Sequence, residues 1–431
     1  MPINSKTNGK ILQRLSARIL SDQLIERYRR SKNDFTRQRK MPFDKVVLFI
    51  MSLSRRSLQL DLTGFMRSWA DGARNITASA FNQSRQKIDP LLFTDLRHIL
   101  ITEFYTDNDA RVKRWNGLRL LATDGSTLAL PQTPELARIY GHANNQHDTK
   151  VASGRCSVLY DVLNNLVLDG VLAPFLVGER ELAMRHLHHC GKDDLVIYDR
   201  GYPGFELMVA VLAQGADFLM RCKSNHNNQV RAFLAGQLQD QTISIKPGRH
   251  ISERDQELRV RMVKVLLDTG ETEVLLTSLT DEQAYPTTVF KDLYYQRWGV
   301  EQFYNVVKNI VRVENFTGHL DTVLQQDFHC ALLICNIHSL LVSEAQEELP
   351  AKHAGRKLSS KINNNISFGF LKQRIVQILA DQDSQRMMVE LNELFLSNTI
   401  PIRPGRRFPR NTSKYKTRKK PPYIQNSKPA L

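Results

Sequence analysis

The chain has 431 residues, 42% of them hydrophobic and 24% charged, with a net charge of +16. That length fits two or three domains, and that apolar share builds a core, so a wholly disordered chain is excluded. Five widely spaced cysteines exclude a disulfide framework and suit a reducing cytosol. No stretch approaches the roughly 18 uninterrupted apolar residues of a membrane helix, and the start, MPINSKTNGK, carries no apolar signal core. The charge is uneven. Residues 1–116 hold 22 Lys+Arg against 11 Asp+Glu, and 401–431 hold ten basic residues and no acid. Basic ends around a slightly acidic middle fit a polyanion gripped by the flanks.

In chain order, Ile11, Leu12, Leu15, Ile19 and Leu24 give a helical rhythm, and Pro42 opens a second helix through Val46 and Phe49. Helices are predicted near 57–70 and 77–88. The last follows Gly72 and Asn75 and carries Arg85 and Lys87, which suits the reading helix of a helix-turn-helix. From residue 117 the texture changes. Leu118–Ala122 form a short apolar strand ending at Asp124. Strands at 153–162 and 165–173 are joined through Asn164-Asn165 as a hairpin. A helix is predicted at 179–190. A strand at Leu195–Tyr198 then ends in Asp199-Arg200-Gly201-Tyr202, and Ala216–Cys222 is a fifth strand. Residues 223–285 read as a β-rich insertion, and 326–346 and 370–396 as apolar helices. The tail from Pro401 is basic and proline-rich, with the composition of a segment that orders on meeting DNA.

One stretch carries the chemistry. In Tyr294–Lys308, YYQRWGVEQFYNVVK, the residues Tyr294, Arg297, Glu301 and Lys308 fall on one face if a single helix turns about 100° per residue. A charged helix face is often only solvated. Here the pattern Y-(2)-R-(3)-E-(6)-K resembles the YREK signature of bacterial insertion-sequence transposases of the DDE type, and the D-R-G-Y run at Asp199–Tyr202 resembles one they share. The resemblance spans roughly residues 117–310.

The resemblance implies an α/β, RNase H-like catalytic core: a mixed five-stranded sheet with helices, interrupted by a β-rich insertion. An all-α DNA-binding region precedes it and a helical region follows. The boundaries expected are 1–116, 117–222, 223–285, 286–320, 321–400 and a disordered basic tail at 401–431. Asp124, Asp199 and Glu301 occupy the carboxylate slots of such a core. They are hard oxygen ligands suited to two Mg2+ ions, with Mn2+ able to substitute. Tyr294, Arg297, Lys308, Arg200 and Tyr202 are then expected to grip phosphates.

The expected partners are double-stranded DNA, as terminal inverted repeats and target, and a second copy of the chain in a synaptic dimer. No membrane is expected, and the location is cytoplasmic, at the nucleoid. A transposase-derived DNA-binding protein that no longer cuts, and an RNase H-fold nuclease without strand transfer, are the alternatives. Asp161, Asp169, Asp193 and Asp194 compete for the second carboxylate position. His186, His188, His189 and Cys190 form a weak zinc-like cluster. Cys330, Cys335 and His338 read as core. Related transposases stack a flipped base on a tryptophan of the insertion. Trp69, Trp115 and Trp298 all lie outside 223–285, which leaves Phe233 or Tyr285 as stand-ins.

Overall fold

The structure, a computed structural model, describes residues 7–37, 40–53, 57–68, 76–107, 111–144, 150–247, 257–267, 270–380 and 384–403. The turn expected at Gly72 and Asn75, Trp69, and the tail beyond residue 403 lie outside the described residues.

Helices α1 (Thr7–Ile19), α2 (Asp22–Tyr28), α3 (Phe43–Met51), α4 (Leu58–Ser68), α5 (Ala78–Arg85) and α6 (Leu91–Asp107) come first. Next are β1 (Arg119–Ala129), α7 (Pro134–Tyr140), β2 (His142–Asn144), β3 (Lys150–Asp161), β4 (Leu166–Pro174), α8 (Glu179–His186), β5 (Asp194–Tyr198), α9 (Phe205–Ala213) and β6 (Asp217–Cys222). Then follow α10 (Asn228–Ala235), β7 (Asp240–Ile245), β8 (Leu258–Leu266), β9 (Thr272–Thr277), α11 (Phe290–Tyr295) and α12 (Trp298–Asn305). The chain closes with α13 (Asp321–Lys352), β10 (Ser360–Ile362), α14 (Asn364–Ala380), α15 (Ser384–Ser397) and β11 (Thr399–Pro401).

Local chemistry explains several starts. Thr77 accepts from the Ala80 amide at 3.2 Å to cap α5, and Asn227 accepts from Val230 at 2.8 Å to cap α10. Thr133 caps α7, with Pro134 at the first helical position. In the β3–β4 turn, Asp161 accepts from the amides of Leu163 and Asn164, and Asn165 takes a left-handed φ of 56°.

The chain divides into two compact units. One comprises Met1–Arg111, Leu128–Gly154 and Val306–Leu431, the other Val112–Thr127 and Arg155–Asn305. In the first, the N-terminal and C-terminal helices share one core, although the sequence reading set them apart as separate regions. The reason is α13, which is apolar around most of its circumference and needs neighbours on every side. Among the described residues it is long and apolar enough to cross a membrane, yet 78% of its apolar window is buried inside the protein. Its Cys330, Cys335 and His338 are core. The His338 ring stacks on Phe368 at 3.6 Å, Nε2 pairs with Ser367 Oγ at 2.7 Å, and burial pushes the imidazole down to about 3.

The described residues form a nine-stranded mixed sheet in the order β2-β3-β1-β5-β6-β9-β8-β7, with β4 paired to β3. Strands β1, β5 and β6 run parallel, and β9, β8 and β7 continue antiparallel from β6. The expected five strands are therefore extended. The β-rich stretch within 223–285 is hydrogen-bonded onto the same sheet, because the edge of β6 offers its unpaired backbone groups to β9. Strand β5 is buried along its whole length, as its unbroken apolar run requires.

Candidate active site

Asp124 and Asp199 are brought together by strand register. The parallel pairing of β1 with β5 runs from Arg119 opposite Asp194 to Ala122 opposite Ile197. Two residues beyond the last pair, Asp124 lies within β1 and Asp199 directly follows β5, so the parallel register carries both to the same end of the sheet. The sequence reading ended the first strand at Asp124. In the structure β1 continues to Ala129, and it is the pairing with β5 that stops before Asp124. The aspartate thus sits at an opening in the sheet, not at a strand end.

Helix α12 brings the third carboxylate. Its buried Val300, Phe303 and Tyr304 face the sheet, with the Phe303 ring stacked on Tyr160 at 4.9 Å. A Cβ built on Gly299 would lie 3.3 Å from Cβ of Val162, so glycine permits this close approach. The Tyr304 hydroxyl donates to the Asp124 carbonyl at 2.8 Å and pins the Glu301 helix to the Asp124 strand.

The single helix expected from Tyr294 to Lys308 is broken. Arg297 and Val300 make i→i−3 bonds at 3.1 Å between α11 and α12, and Val306–Ile310 is a π-helical turn. Lys308 lies in that turn, which belongs to the first unit. Tyr294, Arg297 and Glu301 still converge. The Arg297 guanidinium, 8% exposed, donates to Glu301 and lies 5.8 Å from the centre of the Tyr294 ring. Tyr294 donates its hydroxyl to Asp199 at 3.2 Å.

The two aspartates differ in electrostatics. Burial pushes the Asp124 carboxyl up from 3.8 to about 6. The Gly125 amide and Arg297 oppose that shift, while the Glu301 and Asp199 charges add to it. Burial would also raise Asp199. The Arg200 amide, Arg297 and Arg221 outweigh it and hold this carboxyl below its usual range. Arg221 donates to Asp199 from Nε at 2.9 Å and bridges to Glu273. Sequence reasoning missed Arg221, since an arginine in a strand looks like any solvated charge.

A stability effect follows for Asp124. A carboxyl whose folded pKa is raised keeps a proton that the unfolded chain releases. Metal-free stability therefore declines as pH rises from about 4 through about 6. Asp124→Asn is expected to stabilise the metal-free protein at pH 8 by on the order of 1–3 kcal/mol. Urea unfolding in chelator checks this, and equal stability at pH 8 would refute the burial argument.

The other expected residues fall differently. Arg200 is exposed and borders, with Arg221, Lys223 and Asn225, a groove of about 520 Å³. Tyr202 is only 1% exposed, its ring against Tyr198 at 5.4 Å, so it does not reach a DNA backbone at the surface. Arg85 is likewise 1% exposed. It is held by Gln326, Thr317 and Asp327, which makes it a buried strut and not a phosphate grip. Lys87 is half-buried and pairs with Asp34 at 3.1 Å.

Of the rival carboxylates, Asp161 caps its turn and Asp194 binds Arg119 through both oxygens at 2.7 Å. Asp169 holds His186, which pairs on its far side with Ser157 at 2.9 Å. His186 is therefore a buried core residue. Cys190 is buried, and desolvation pushes its thiol up to about 12. Phe233 is buried, and Tyr285 is stacked on Trp115 at 5.8 Å. Phe233 thus presents no open face for a base, and Tyr285 has one face taken by Trp115.

Asp124 and Asp199, carried by neighbouring parallel strands, and Glu301, on the helix that Tyr304 ties to the Asp124 strand, gather three carboxylates on an α/β sheet. Residues 115–337 match the transposase DDE domain family, and the chain belongs to it. The chain is similar to the transposase InsG of insertion sequence element IS4 from Escherichia coli strain K12, with 24% identity over 410 residues, 91% of this chain and 90% of that one. This bears out the sequence-level resemblance to bacterial insertion-sequence DDE transposases. Among solved structures, a piggyBac transposase synaptic complex with hairpin DNA aligns over 94% of this chain and 88% of that one, at 10% identity and a TM-score of 0.44.

Proposed function

We propose that the protein binds the terminal inverted repeats of its insertion sequence, cuts at the element ends and joins the freed 3′ ends to target DNA. The observation that carries this reading is the convergence of Asp124, Asp199 and Glu301. The strand order β4-β3-β1-β5-β6 supports an RNase H-like core, since in chain order those strands lie 3-2-1-4-5. On this reading, parts of 1–116 and 321–400 and the basic tail beyond 401 hold DNA, and two copies synapse the two ends.

The donor set fits a hard divalent cation, Mg2+ or Mn2+. All three groups are carboxylates, and Asp124, raised mainly by burial and further by the Glu301 and Asp199 charges, is a group whose ionised form a cation would stabilise. When bound, two such ions activate the attacking oxygen and stabilise the leaving one. Asp124, Asp199 and Glu301 would hold them. The chain's own groups set the geometry. Arg221 and Tyr294 fix Asp199, and Arg297 fixes Glu301. Tyr304 anchors the strand beneath Asp124. The exposed Arg200 and the more buried Tyr294 and Arg297 line the approach and attract a phosphodiester.

The test is incubation with Mn2+ and DNA carrying the element's ends. Nicks at the ends, followed by joined 3′ products, support the reading. Specific binding without any nick favours a retired DNA-binding protein. Nicks that never give joined products favour a nuclease.

A further inference from the structure

Three charged side chains stand in a row across neighbouring strands. The parallel pairing of β5 with β6 ends with Tyr198 opposite Met220, and one residue further on come Asp199 and Arg221. On the other side of β6, Arg221 is opposite Leu275 of β9. Glu273 is two residues from Leu275, so it lies on the same face of the sheet and diagonal to Arg221. The row therefore reads acid, base, acid. Its outer acid comes from β9, within the stretch 223–285 that the sequence marks as an insertion.

The contacts turn the row into a line of support. Arg221 donates Nε and Nη2 to Oδ1 of Asp199 at 2.9 and 2.7 Å, and Nη1 to Oε1 of Glu273. The same Asp199 oxygen also accepts from the Arg200 amide at 2.7 Å and the Tyr294 hydroxyl at 3.2 Å. A carboxylate oxygen has two lone pairs, so Oδ1 is fully committed. Oδ2 has no hydrogen-bond partner among the described residues. Asp199 therefore offers one oxygen, in a direction set by the donors on the other. An arginine is a long side chain and swings unless its far end is held. Glu273 holds it, and with side chains 22% and 18% exposed the Arg221–Glu273 pair is largely out of competition with water.

We infer that Glu273 is a positioning residue for the divalent-cation site: by holding Arg221 it aims Oδ2 of Asp199 as a one-oxygen ligand. This rests on the reading of Asp199 as a metal ligand. Glu273 acts through Arg221 and not by touching the cation. The inference gives β9 a part in the chemistry, since the strand that extends the sheet beyond β6 also carries the brace for Asp199. Two plainer accounts compete. In one, Arg221 and Glu273 are a cross-strand ion pair that only stabilises the sheet. In the other, Glu273 attracts a cation simply as a nearby negative charge.

The experiment is Mn2+ titration of the full chain by calorimetry, with metal-free melting temperature recorded alongside. Glu273→Ala removes both the charge and the acceptor. It is expected to weaken Mn2+ binding about tenfold or more, the usual effect of losing an outer support of a metal ligand. Glu273→Gln removes the charge but keeps an oxygen for Arg221, and is expected to recover most of that affinity. A nearby charge alone predicts the same loss in both variants. A plain ion pair predicts a lower melting temperature with unchanged affinity in both. Either result overturns the inference. In an Arg221→Met background, Glu273→Ala and Glu273→Gln should bind Mn2+ alike, and a remaining difference overturns the route through Arg221. If Glu273→Ala does not fold, Glu273→Asp replaces it. That variant keeps the charge and draws the carboxylate back by one methylene, so wild-type affinity there overturns the inference. Asp199→Asn separates the two levels. Weakened binding there, with Glu273→Ala at wild-type affinity, overturns only the role of Glu273. Unchanged Mn2+ binding in Asp199→Asn overturns the reading of Asp199 as a ligand.

Discussion

Glu301→Gln is expected to abolish Mn2+-dependent cutting of DNA carrying the element's ends while leaving binding of that DNA intact. The substitution removes one charge and keeps shape and length. Arg297, which donates to Glu301, then faces a neutral amide. A metal ion stabilises a phosphoryl transition state by several kcal/mol. At about 1.4 kcal/mol per tenfold, misplacing it costs on the order of 10³-fold in the single-turnover rate. Asp124→Asn should cost as much, and the two together little more, because residues that hold one metal centre act as a unit. Gel-shift affinity and its salt dependence should not move, since phosphate contacts made elsewhere set them. A Glu301→Gln protein that cuts within tenfold of wild type would remove this residue from the metal site. A parallel loss of DNA affinity would instead show that the change damaged the fold.

Much of the arrangement around this candidate site was legible in the sequence, and the reason is physical. Buried parallel strands read as short apolar runs, so Leu118–Ala122 and Leu195–Tyr198 announce themselves together with the aspartate that follows each. Helix α12 is amphipathic, so the polar position of Glu301 is visible against Val300, Phe303 and Tyr304. What stayed hidden depends on tertiary approach. The break between α11 and α12 falls beside the close approach of Gly299 to Val162, a contact that no local pattern records. The alternation of β8 and β9 was readable, but their pairing onto β6 was not. Tyr202 and Arg85 were misjudged in the same way. Polar residues near a functional motif look exposed in a sequence, and burial is decided by segments far along the chain.

Arg85 gives the sharpest test of that last point. Arg85→Met is expected to destabilise the protein by about 3–5 kcal/mol, the cost of stranding a buried charge. The guanidinium donates from Nε to Gln326 at 2.9 Å and from Nη2 to Asp327 at 2.8 Å, and it also reaches Thr317. Gln326 returns two bonds, to the carbonyls of Arg85 and Ile88, both at 2.9 Å. The end of α5 is thereby fastened to α13 across 242 positions of sequence. Burial would raise the Asp327 carboxyl, but Arg85 and the bonds from Thr317 overcome it and hold it below its usual range. A depressed folded-state carboxyl contributes stability that is present above the unfolded value near 4. That stability is lost as pH falls through the folded value. Removing Arg85 reverses the balance, so the Arg85→Met protein should lose its acid-labile increment and be weakest at neutral pH. Arg85→Met with Asp327→Leu should recover most of the loss, because neither charge is then left alone. Urea unfolding at pH 7 and pH 4 reads all of this. Were Arg85 a phosphate contact instead, Arg85→Met would keep wild-type stability, bind DNA more weakly on any sequence, and lower the salt slope by about one.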